Sequence, residues 1–291
     1  MYISGDELLR LAESKNVRIS EIVIEEEAKE SETDKEQIMN RMKKHYRVMR
    51  ESAEHCLNQK IKSVGGIIGG DAKKLNAYAG TKNTLCGQTV NKAMAMALST
   101  SELNAAMGRI CAAPTAGSAG IIPAAILSAS QTLGSNEDQI VHALLTASGI
   151  GKIIAQEATL SGAEGGCQAE CGSAASMAAA AVVELSGGSP KQSLHAAALA
   201  LKAVMGLICD PIAGLVESPC ALRNASGVIN ALTCADMALA GVESVIPFDE
   251  VVGAMYKVGK ALPVEFRETA LGGIAATETG KKIQKRIFED G

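Results

Sequence analysis

The sequence is poor in aromatic residues. No tryptophan occurs among its 291 residues, and aromatic residues make up only 2% of the chain, whereas 47% of the residues are hydrophobic. The interior must therefore be filled by Ala, Leu, Ile, Val, Met and Gly, and the small side chains among these let helices approach closely. A chain of this length buries a sizeable core, as one large domain or two modest ones.

The chain also lacks a basic surface, an export signal and a long apolar run. Its formal net charge is −4, without a basic stripe or stacking aromatics, which argues against nucleic-acid binding. Residues 1–15 carry acids where a secretory signal has a basic and then an apolar segment. The most apolar run, Ala174 to Val183, is ended by Glu184 and is too short to span a bilayer. We therefore expect a cytoplasmic protein that binds a small charged metabolite, with no nucleic-acid or membrane partner.

Strand-like alternation is nearly absent, so the sequence predicts an all-α fold: a multi-helix globular domain with buried Ala/Gly-rich helices and functional loops at helix ends. Residues 1–60 are expected to form about three charged helices that pack on residues 61–291, the two parts making one structural unit. Helix starts are predicted at Ser4, Thr33, Ser135 and Ser189, where an N-cap residue is followed three positions later by a polar partner. The helices predicted after residue 60 are 87–107, 121–133, 137–155, 167–185, 190–209, 219–240 with a possible break, and 248–262.

The first candidate site is the stretch CAAPTAGSAGIIPA, residues 111–124. A turn rich in glycine and hydroxyl side chains before an apolar helix presents backbone N–H groups to one spot, which suits an anion. A carboxylate fits better than a polyphosphate, because no phosphate-binding glycine motif is present. A tight interhelical turn explains the same residues equally well. The candidate anion-binding residues are Thr115, Ala116, Gly117, Ser118 and Gly120.

The eight cysteines form a second set of candidates, since a reducing cytoplasm disfavours a disulfide framework. Cys167 follows Gly165 and Gly166, which predicts a thiol at a helix N-terminus, where the helix dipole stabilises the thiolate. Cys171 lies four residues on and shares that face, with Glu170 close to it. Such a pair is a weak signal, and two buried small side chains remain the alternative.

The stretch ICDPIAGLVESPCALRN, residues 208–224, places two further thiols at predicted helix ends. Cys209 is expected to end one helix because Pro211 follows, and Cys220 to begin the next after Pro219. A thiol at a helix C-terminus is a poor nucleophile unless a cation offsets the dipole, which favours metal binding by Cys209. With Cys167 the chain would offer three thiolates from three segments. Three thiolates leave one iron of a cubane cluster open to a substrate.

Lys74, in the glycine-rich stretch VGGIIGGDAKKL, is a candidate general base if burial lowers its pKa; a solvated lysine is the alternative. The remaining cysteines are expected to be buried, and the histidines to be hydrogen-bonded or exposed rather than metal ligands. These residues are Cys56, Cys86, Cys111, Cys234, His45, His55, His142 and His195.

Six stretches in this order resemble the α subunit of the iron–sulfur-dependent L-serine dehydratases: GGDAKKL, CAAPTAGSAGIIPA, SGAEGGCQAE, ICDPIAGLVESPCALRN, MALAGVESVIPFDEVVGAMYKVG and RETALGGIAATETG. The resemblance covers nearly the whole chain from about residue 60 onward. It implies an all-helical catalytic unit with a [4Fe–4S] cluster on Cys167, Cys209 and Cys220. It also implies a separate β subunit, which single-chain members carry as an additional domain.

The resemblance further implies a reaction, the conversion of L-serine to pyruvate and ammonia without pyridoxal phosphate. The turn at 115–120 would hold the serine carboxylate, and Asn224 with Arg223 would orient the carboxylate or the cluster. Lys74 is the expected base, with Asp210 and Glu164 as alternates.

Two positions depart from the family pattern: Glu157 stands where relatives commonly have Asn, and Cys171 is often another residue in relatives, so Cys171 is not expected to be a ligand.

Three other functions fit parts of the sequence. A related cluster-dependent lyase would release sulfide from cysteine. A non-catalytic subunit would use the same thiolates for a structural zinc. A thiol-redox module would use Cys167 and Cys171.

Overall fold

The structure, a computed structural model, describes residues 2–81 and 83–289. Within these residues thirteen α-helices are joined by turns and short helical segments. The described residues contain no β-strand; one isolated parallel bridge pairs Cys209 with Arg267. The predicted all-α fold is confirmed.

The helices are α1 (Gly5–Lys15), α2 (Ile19–Glu30), α3 (Lys35–His55), α4 (Asp71–Ala79), α5 (Gly87–Ala105), α6 (Ile121–Leu133), α7 (Glu137–Glu157), α8 (Gly162–Gly165), α9 (Ser173–Leu185), α10 (Pro190–Lys202), α11 (Cys220–Leu239), α12 (Phe248–Ala261) and α13 (Glu278–Phe288). A π-helical turn, Gln168–Gly172, leads into α9. Short 3-10 turns are formed by Ala116–Ser118, Ile212–Gly214, Val264–Phe266 and Gly273–Ala276.

Helix α9 lies at the centre of the core. Every residue from Ser173 to Glu184 is buried, and α6, α7, α10 and α11 pack around the helix. Its run of alanines presents little side-chain bulk, so neighbouring helices can approach it from all sides. The apolar run from Ala174 to Val183 is therefore a buried core helix, as predicted. In the described part of the chain, no helix is both long and apolar enough to cross a membrane.

Helices α1–α3 pack on this core, α1 against α10, α2 against α7, and α3 against α5 and α7. Ser4 caps α1 as predicted, because its hydroxyl accepts a hydrogen bond from the Glu7 N–H. The second predicted cap is off by one residue, since the carboxylate of Asp34, not Thr33, accepts from Gln37 N. The same shift occurs at α7, where Asn136 replaces Ser135 in a capping box with Gln139. The division of the chain at residue 60 stays a prediction.

The main error in the predicted helices concerns residues 190–209. The capping box at Ser189 starts α10 as expected, but the helix ends at Lys202. Gly206 then adopts a positive φ of 85°, and Cys209 lies in extended backbone. Helices α4, α8 and α13 were not predicted, and α11 runs without the break expected within it.

Candidate active site

Three of the cysteines converge from three segments. Cys167 follows Gly166, whose φ is 74°; Cys209 lies in the extended segment after α10; and Cys220 is the first residue of α11. Their exposed fractions are 2%, 2% and 8%. Hydrogen bonds from Cys171 and Cys209 and the charge of Arg223 hold the pKa of Cys167 well below its ordinary value. The structure therefore brings together the thiols of Cys167 and Cys209.

Cys220 belongs to the same group. Burial raises the pKa of the Cys220 thiol to about 12, and the negative charge of Cys167 contributes to that rise. Cys167 likewise raises the pKa of Cys209, and the pKa of Cys171, whose sulfur lies 3.4 Å from that of Cys167. One thiolate at Cys167 thus makes its neighbours harder to ionise, so several thiolates would coexist here only beside a positive charge.

The predicted position of Cys209 at a helix end is wrong. Its N–H donates to Phe266 O at 2.8 Å, and its carbonyl accepts from Glu268 N at 2.8 Å. Helix α10 ends before Cys209 because two backbone groups that precede Cys209 are hydrogen-bonded to Gln168. Leu207 O accepts from Gln168 N, and Gly206 N donates to Gln168 Oε1. The helix-dipole argument for metal binding therefore does not apply to Cys209. Cys220, by contrast, begins its helix as predicted.

Asp210 is buried, and both of its carboxylate oxygens accept hydrogen bonds. Its Oδ1 accepts from Arg223 Nη2 at 2.7 Å, and its Oδ2 accepts from Ile274 N at 2.8 Å. Gly273 lies so close that an added Cβ would come within 2.1 Å of Oδ2, and its φ is 58°. These contacts favour a positioning role for Asp210 over the proton transfer suggested by the sequence.

The turn at 115–120 lies against the first turn of α11. Asn224 Nδ2 donates to Gly117 O at 2.7 Å and to Cys220 O at 2.9 Å, and Asn224 Oδ1 accepts from Gly120 N at 2.9 Å. The predicted anion turn and Cys220 are thus joined by one buried amide. Because Asn224 and the N–H of Gly120 are already hydrogen-bonded, their contacts favour shaping of the turn over direct substrate binding.

The other turn residues remain at the site. The hydroxyl of Thr115 lies 3.1 Å from that of Ser118, within the short helical turn Ala116–Ser118. Ser118 is buried, Thr115 and Gly117 are half-buried, and Ala116 is exposed.

Glu170 is the residue at this site to which the sequence assigned no role. Its Oε2 lies 4.0 Å from Cys209 Sγ, and an added Cβ on Gly117 would lie 3.4 Å from its Oε1. An added Cβ on Gly162 would come within 2.6 Å of Oε2, so the carboxyl group would have to move if a side chain stood there. Burial raises the pKa of Glu170 to about 7, the charge of Cys167 adds to this, and Thr115 opposes it. The carboxyl group therefore lies between the turn and the thiols.

The two other acid–base candidates are at the surface. Lys74 lies on α4 with 78% of its side chain exposed, and its Nζ is 2.8 Å from Asp71 Oδ1. The hydrogen bond with Asp71 raises the pKa of Lys74, so the expectation that burial lowers it is wrong. Asp71 and Lys74 lie three positions apart at the start of the short helix α4, and they pair at the surface. Glu164, on α8, is also exposed.

Outside this site, the expectations for the remaining cysteines hold in part. Cys56 and Cys234 are buried as expected, whereas Cys86 is exposed because it precedes α5 in a surface turn. Cys111 is half-buried, and its Sγ lies 3.7 Å from His45 Nδ1, where both line an apolar cavity. Among the described residues, no group of three or more His, Cys, Asp or Glu side chains is arranged to hold a metal ion.

Comparisons with known proteins agree with the sequence pattern. The model of the family described as serine dehydratase alpha chain matches residues 14–275. The L-serine dehydratase, alpha chain, of Peptoniphilus asaccharolyticus is 49% identical over 291 residues, which is 100% of each chain. The probable L-serine dehydratase, alpha chain, of Bacillus subtilis (strain 168) is 46% identical over 288 residues, covering 99% of this chain and 96% of that one. The L-serine dehydratase of Streptomyces coelicolor is 39% identical over 282 residues, covering 94% of this chain and 60% of the longer one.

Proposed function

The chain belongs to the serine dehydratase alpha chain family, and from this we propose that it is the catalytic subunit of an L-serine dehydratase, an ammonia-lyase that converts L-serine to pyruvate and ammonia. The observation that carries the proposal is the convergence of Cys167, Cys209 and Cys220 with the turn at 115–120. Asn224 makes that connection, because one side chain bonds both Gly117 and Cys220.

The residues present fit a [4Fe–4S] cluster. Three thiols from three segments are the donors that such clusters use, and each thiolate binds its own iron, so the thiols need not close on one ion. Arg223 adds a second observation: its buried Nη1 finds no hydrogen-bond partner among the described residues, which leaves a donor for a sulfide or a substrate oxygen. We propose that Cys167, Cys209 and Cys220 hold the cluster. When bound, the cluster supplies an iron that acts as a Lewis acid towards the departing hydroxyl group.

The chain's own residues bind the substrate and move its proton. The hydroxyls of Thr115 and Ser118 and the backbone N–H groups from Ala116 to Ser118 would receive the serine carboxylate at the turn. Asn224 keeps that turn in register with Cys220. Beside the thiols, Asp210 and Arg223 hold each other through an ion pair, with 2.7 Å between Arg223 Nη2 and Asp210 Oδ1. No pyridoxal phosphate is required in this scheme.

For the α-proton, Lys74, Asp210 and Glu164 remain candidates from the sequence, and Glu170 joins them. Glu170 is favoured by position, since its carboxyl group lies between Gly117 of the turn and Cys209. We propose that Glu170 takes the α-proton of serine. The aminoacrylate released by elimination then tautomerises and hydrolyses in water to pyruvate and ammonia.

Pyruvate release from L-serine by anaerobically prepared protein tests this function. Glu170→Gln should lower kcat by about 10²- to 10⁴-fold, the usual contribution of a general base. The control Glu243→Gln removes a carboxylate that is exposed at the surface and far from the three thiols in sequence. Its kcat should equal that of the wild type. Full activity of Glu170→Gln together with loss in Glu164→Gln or Lys74→Met would refute the assignment of Glu170. Faster sulfide release from cysteine than pyruvate release from serine would refute the choice of substrate.

A second chain is part of the proposal. Two of the relatives are named as alpha chains, whereas this chain spans 60–61% of the L-serine dehydratases of Streptomyces coelicolor and Escherichia coli. From the alpha-chain names of these relatives we propose that a separate β subunit joins this chain and that the assembly works in the reducing cytoplasm. Tagged chain that elutes alone from cells producing both subunits would contradict the pairing.

A further inference from the structure

A buried carboxylate close to Cys220 holds a distant loop. Glu217 lies three residues before Cys220 and is only 2% exposed. Its Oε1 accepts from Gly65 N at 2.7 Å, and its Oε2 accepts from Ser63 Oγ at 2.6 Å and from Ile67 N at 3.0 Å. Three donors therefore converge on one carboxylate, which is the arrangement that makes a buried charge tolerable.

The loop that Glu217 holds, residues 63–70, is here called the glycine loop. It closes on itself, since Ser63 N donates to Ile68 O and Ile68 N donates to Ser63 Oγ. Gly65 packs against the 215–217 segment so tightly that an added Cβ would lie 2.6 Å from Leu215 Cδ1 and 2.8 Å from Glu217 Oε1. The backbone of the glycine loop thus fits directly against the chain that leads into Cys220.

The main chain of Glu217 lies just before α11. Its carbonyl accepts at 3.0 Å from the N–H of Ala221, which is in the first turn of that helix, after the N-cap residue Pro219. One turn further on, Asn224 binds Cys220 O and the turn at Gly117. A continuous series of contacts therefore runs from the glycine loop through Glu217 to Cys220 and the substrate turn.

We infer that Glu217 is a positioning residue: by fixing the glycine loop to the first turn of α11, it sets where the sulfur of Cys220 lies. This attachment of the glycine loop to α11 by Glu217, here called the tie, rests on the hydrogen bonds above. Only its importance for catalysis rests on the proposed function. The glycines at 65 and 66 then serve close packing and a left-handed turn rather than anion binding, because the N–H of Gly65 is already taken.

The test is the rate at which individual thiols are alkylated in the full-length chain after chelation, resolved by peptide mass spectrometry. In Glu217→Gln one carboxylate oxygen becomes an N–H donor that faces other donors, so Cys220 should be alkylated at least about tenfold faster. Buried Cys234 should keep its wild-type rate. An equal increase at Cys220 and Cys234 would indicate only general destabilisation, and an unchanged rate at Cys220 would remove the tie; either result overturns the inference.

Glu102 provides a matched control. It is 1% exposed, and its Oε1 accepts from Asp71 N at 2.6 Å and Ala72 N at 3.1 Å, just beyond the same loop. Glu102→Gln therefore perturbs an equally buried carboxylate that bonds backbone amides of α4, and Cys220 should stay protected. Equal acceleration of Cys220 in Glu102→Gln would contradict a specific role for Glu217.

Gly65→Ala keeps the carboxylate and tests the contact from the other side. The backbone of Gly65 is not in the left-handed region, so an alanine is hindered only by Leu215 and Glu217. The same selective exposure of Cys220 is expected. Pyruvate assays separate the two claims: a wild-type chain without pyruvate production, but with selective exposure of Cys220 in both variants, rejects the function and keeps the tie. Pyruvate production by the wild-type chain, with unchanged alkylation rates of Cys220 in both variants, keeps the proposed function and rejects the tie.

Discussion

The acids beside Cys209 and Cys220 bind backbone amides. Asp210 accepts from Ile274 N, and Glu217 accepts from Gly65 N and Ile67 N. Each acid thereby joins the segment of its neighbouring cysteine to a segment distant in sequence. The acids around these cysteines, visible in the sequence, are thus explained by how two short connections are held in place.

The three thiols were predictable at the level of single residues, because their segments carry glycines and prolines that limit the local backbone. Glu170 was not, although it stands only three residues after Cys167. Its importance arises from Thr115, Gly117 and Gly162, which meet it only in the folded chain. Whether Lys74 is buried or solvated stayed open in the sequence for the same reason, since burial of a lysine depends on what packs over it.

Replacement of single thiols should separate ligands from neighbours. Cys209→Ser and Cys220→Ser should lower bound iron and pyruvate formation on the order of 100-fold, more than loss of an outer contact does. Cys171→Ser should cost at most about tenfold, the low end for an outer contact, because Cys171 only hydrogen-bonds Cys167, is not a proposed ligand, and is replaced by another hydrogen-bonding side chain. Iron analysis of anaerobically prepared protein measures both. Loss of iron in Cys171→Ser with retention in Cys209→Ser would favour a different ligand set.

At the scale of helices, the predictions hold where a helix end is set by its own residues. Ser189, Pro190 and Gln192 start α10 locally, and α6 has the predicted bounds. The end of α10 is different, because Gln168 takes the hydrogen-bonding groups of Gly206 and Leu207. No local feature of residues 203–208 reveals a partner that lies at the start of another helix.

Helix α12 packs against the segment before Cys167 through two glycines. An added Cβ on Gly259 would lie 2.7 Å from Gly165 Cα and 3.1 Å from Gly165 O. Gly259→Ala should therefore lower the free energy of unfolding by about 1–3 kcal/mol, the usual cost of overpacking, because backbone must move. Urea denaturation followed by circular dichroism measures the change.

Gly253 on the same helix is the control for that substitution. No atom lies within 4 Å of a Cβ added there, so Gly253→Ala should be neutral or stabilise by up to about 1 kcal/mol through helix propensity. Equal destabilisation in both variants would show that the packing of Gly259 on Gly165 is not the cause.

At the scale of the whole molecule, a buried carboxylate of the central helix joins the N-terminal helices to the core. Glu184 Oε2 accepts from Ser20 N at 3.2 Å and from Thr146 Oγ1 at 2.5 Å. Arg18, the N-cap residue of α2, makes no side-chain cap, so Glu184 of α9 satisfies an amide at the start of α2. The charged N-terminal helices are therefore attached by a buried polar contact as well as by apolar packing.

This contact predicts a pH dependence of stability. Burial raises the pKa of Glu184 above its ordinary value of 4.5, so the folded state holds the proton more tightly than the unfolded state. The resulting stability is present below the unfolded pKa and is lost as the pH rises through the folded pKa. Between about pH 4 and about pH 8, the free energy of unfolding should fall less in Glu184→Gln than in the wild type. Urea titrations at both pH values measure this.

Glu250→Gln, which removes an exposed carboxylate, should leave the wild-type pH dependence intact. A pH dependence in Glu184→Gln equal to that of the wild type would show that Glu184 does not contribute.

The central claim is that Cys167, Cys209 and Cys220 hold an iron–sulfur cluster that meets serine at the turn around Gly117. The most direct test is the electron paramagnetic resonance spectrum of the anaerobically isolated chain after one-electron reduction with dithionite, because a resting [4Fe–4S]²⁺ cluster has no unpaired spin. It is recorded before and after addition of L-serine, with iron and sulfide counted in the same sample. Bound iron and sulfide are expected, together with a spectrum that L-serine changes. A chain without iron, or a cluster spectrum that L-serine leaves unchanged, would contradict it.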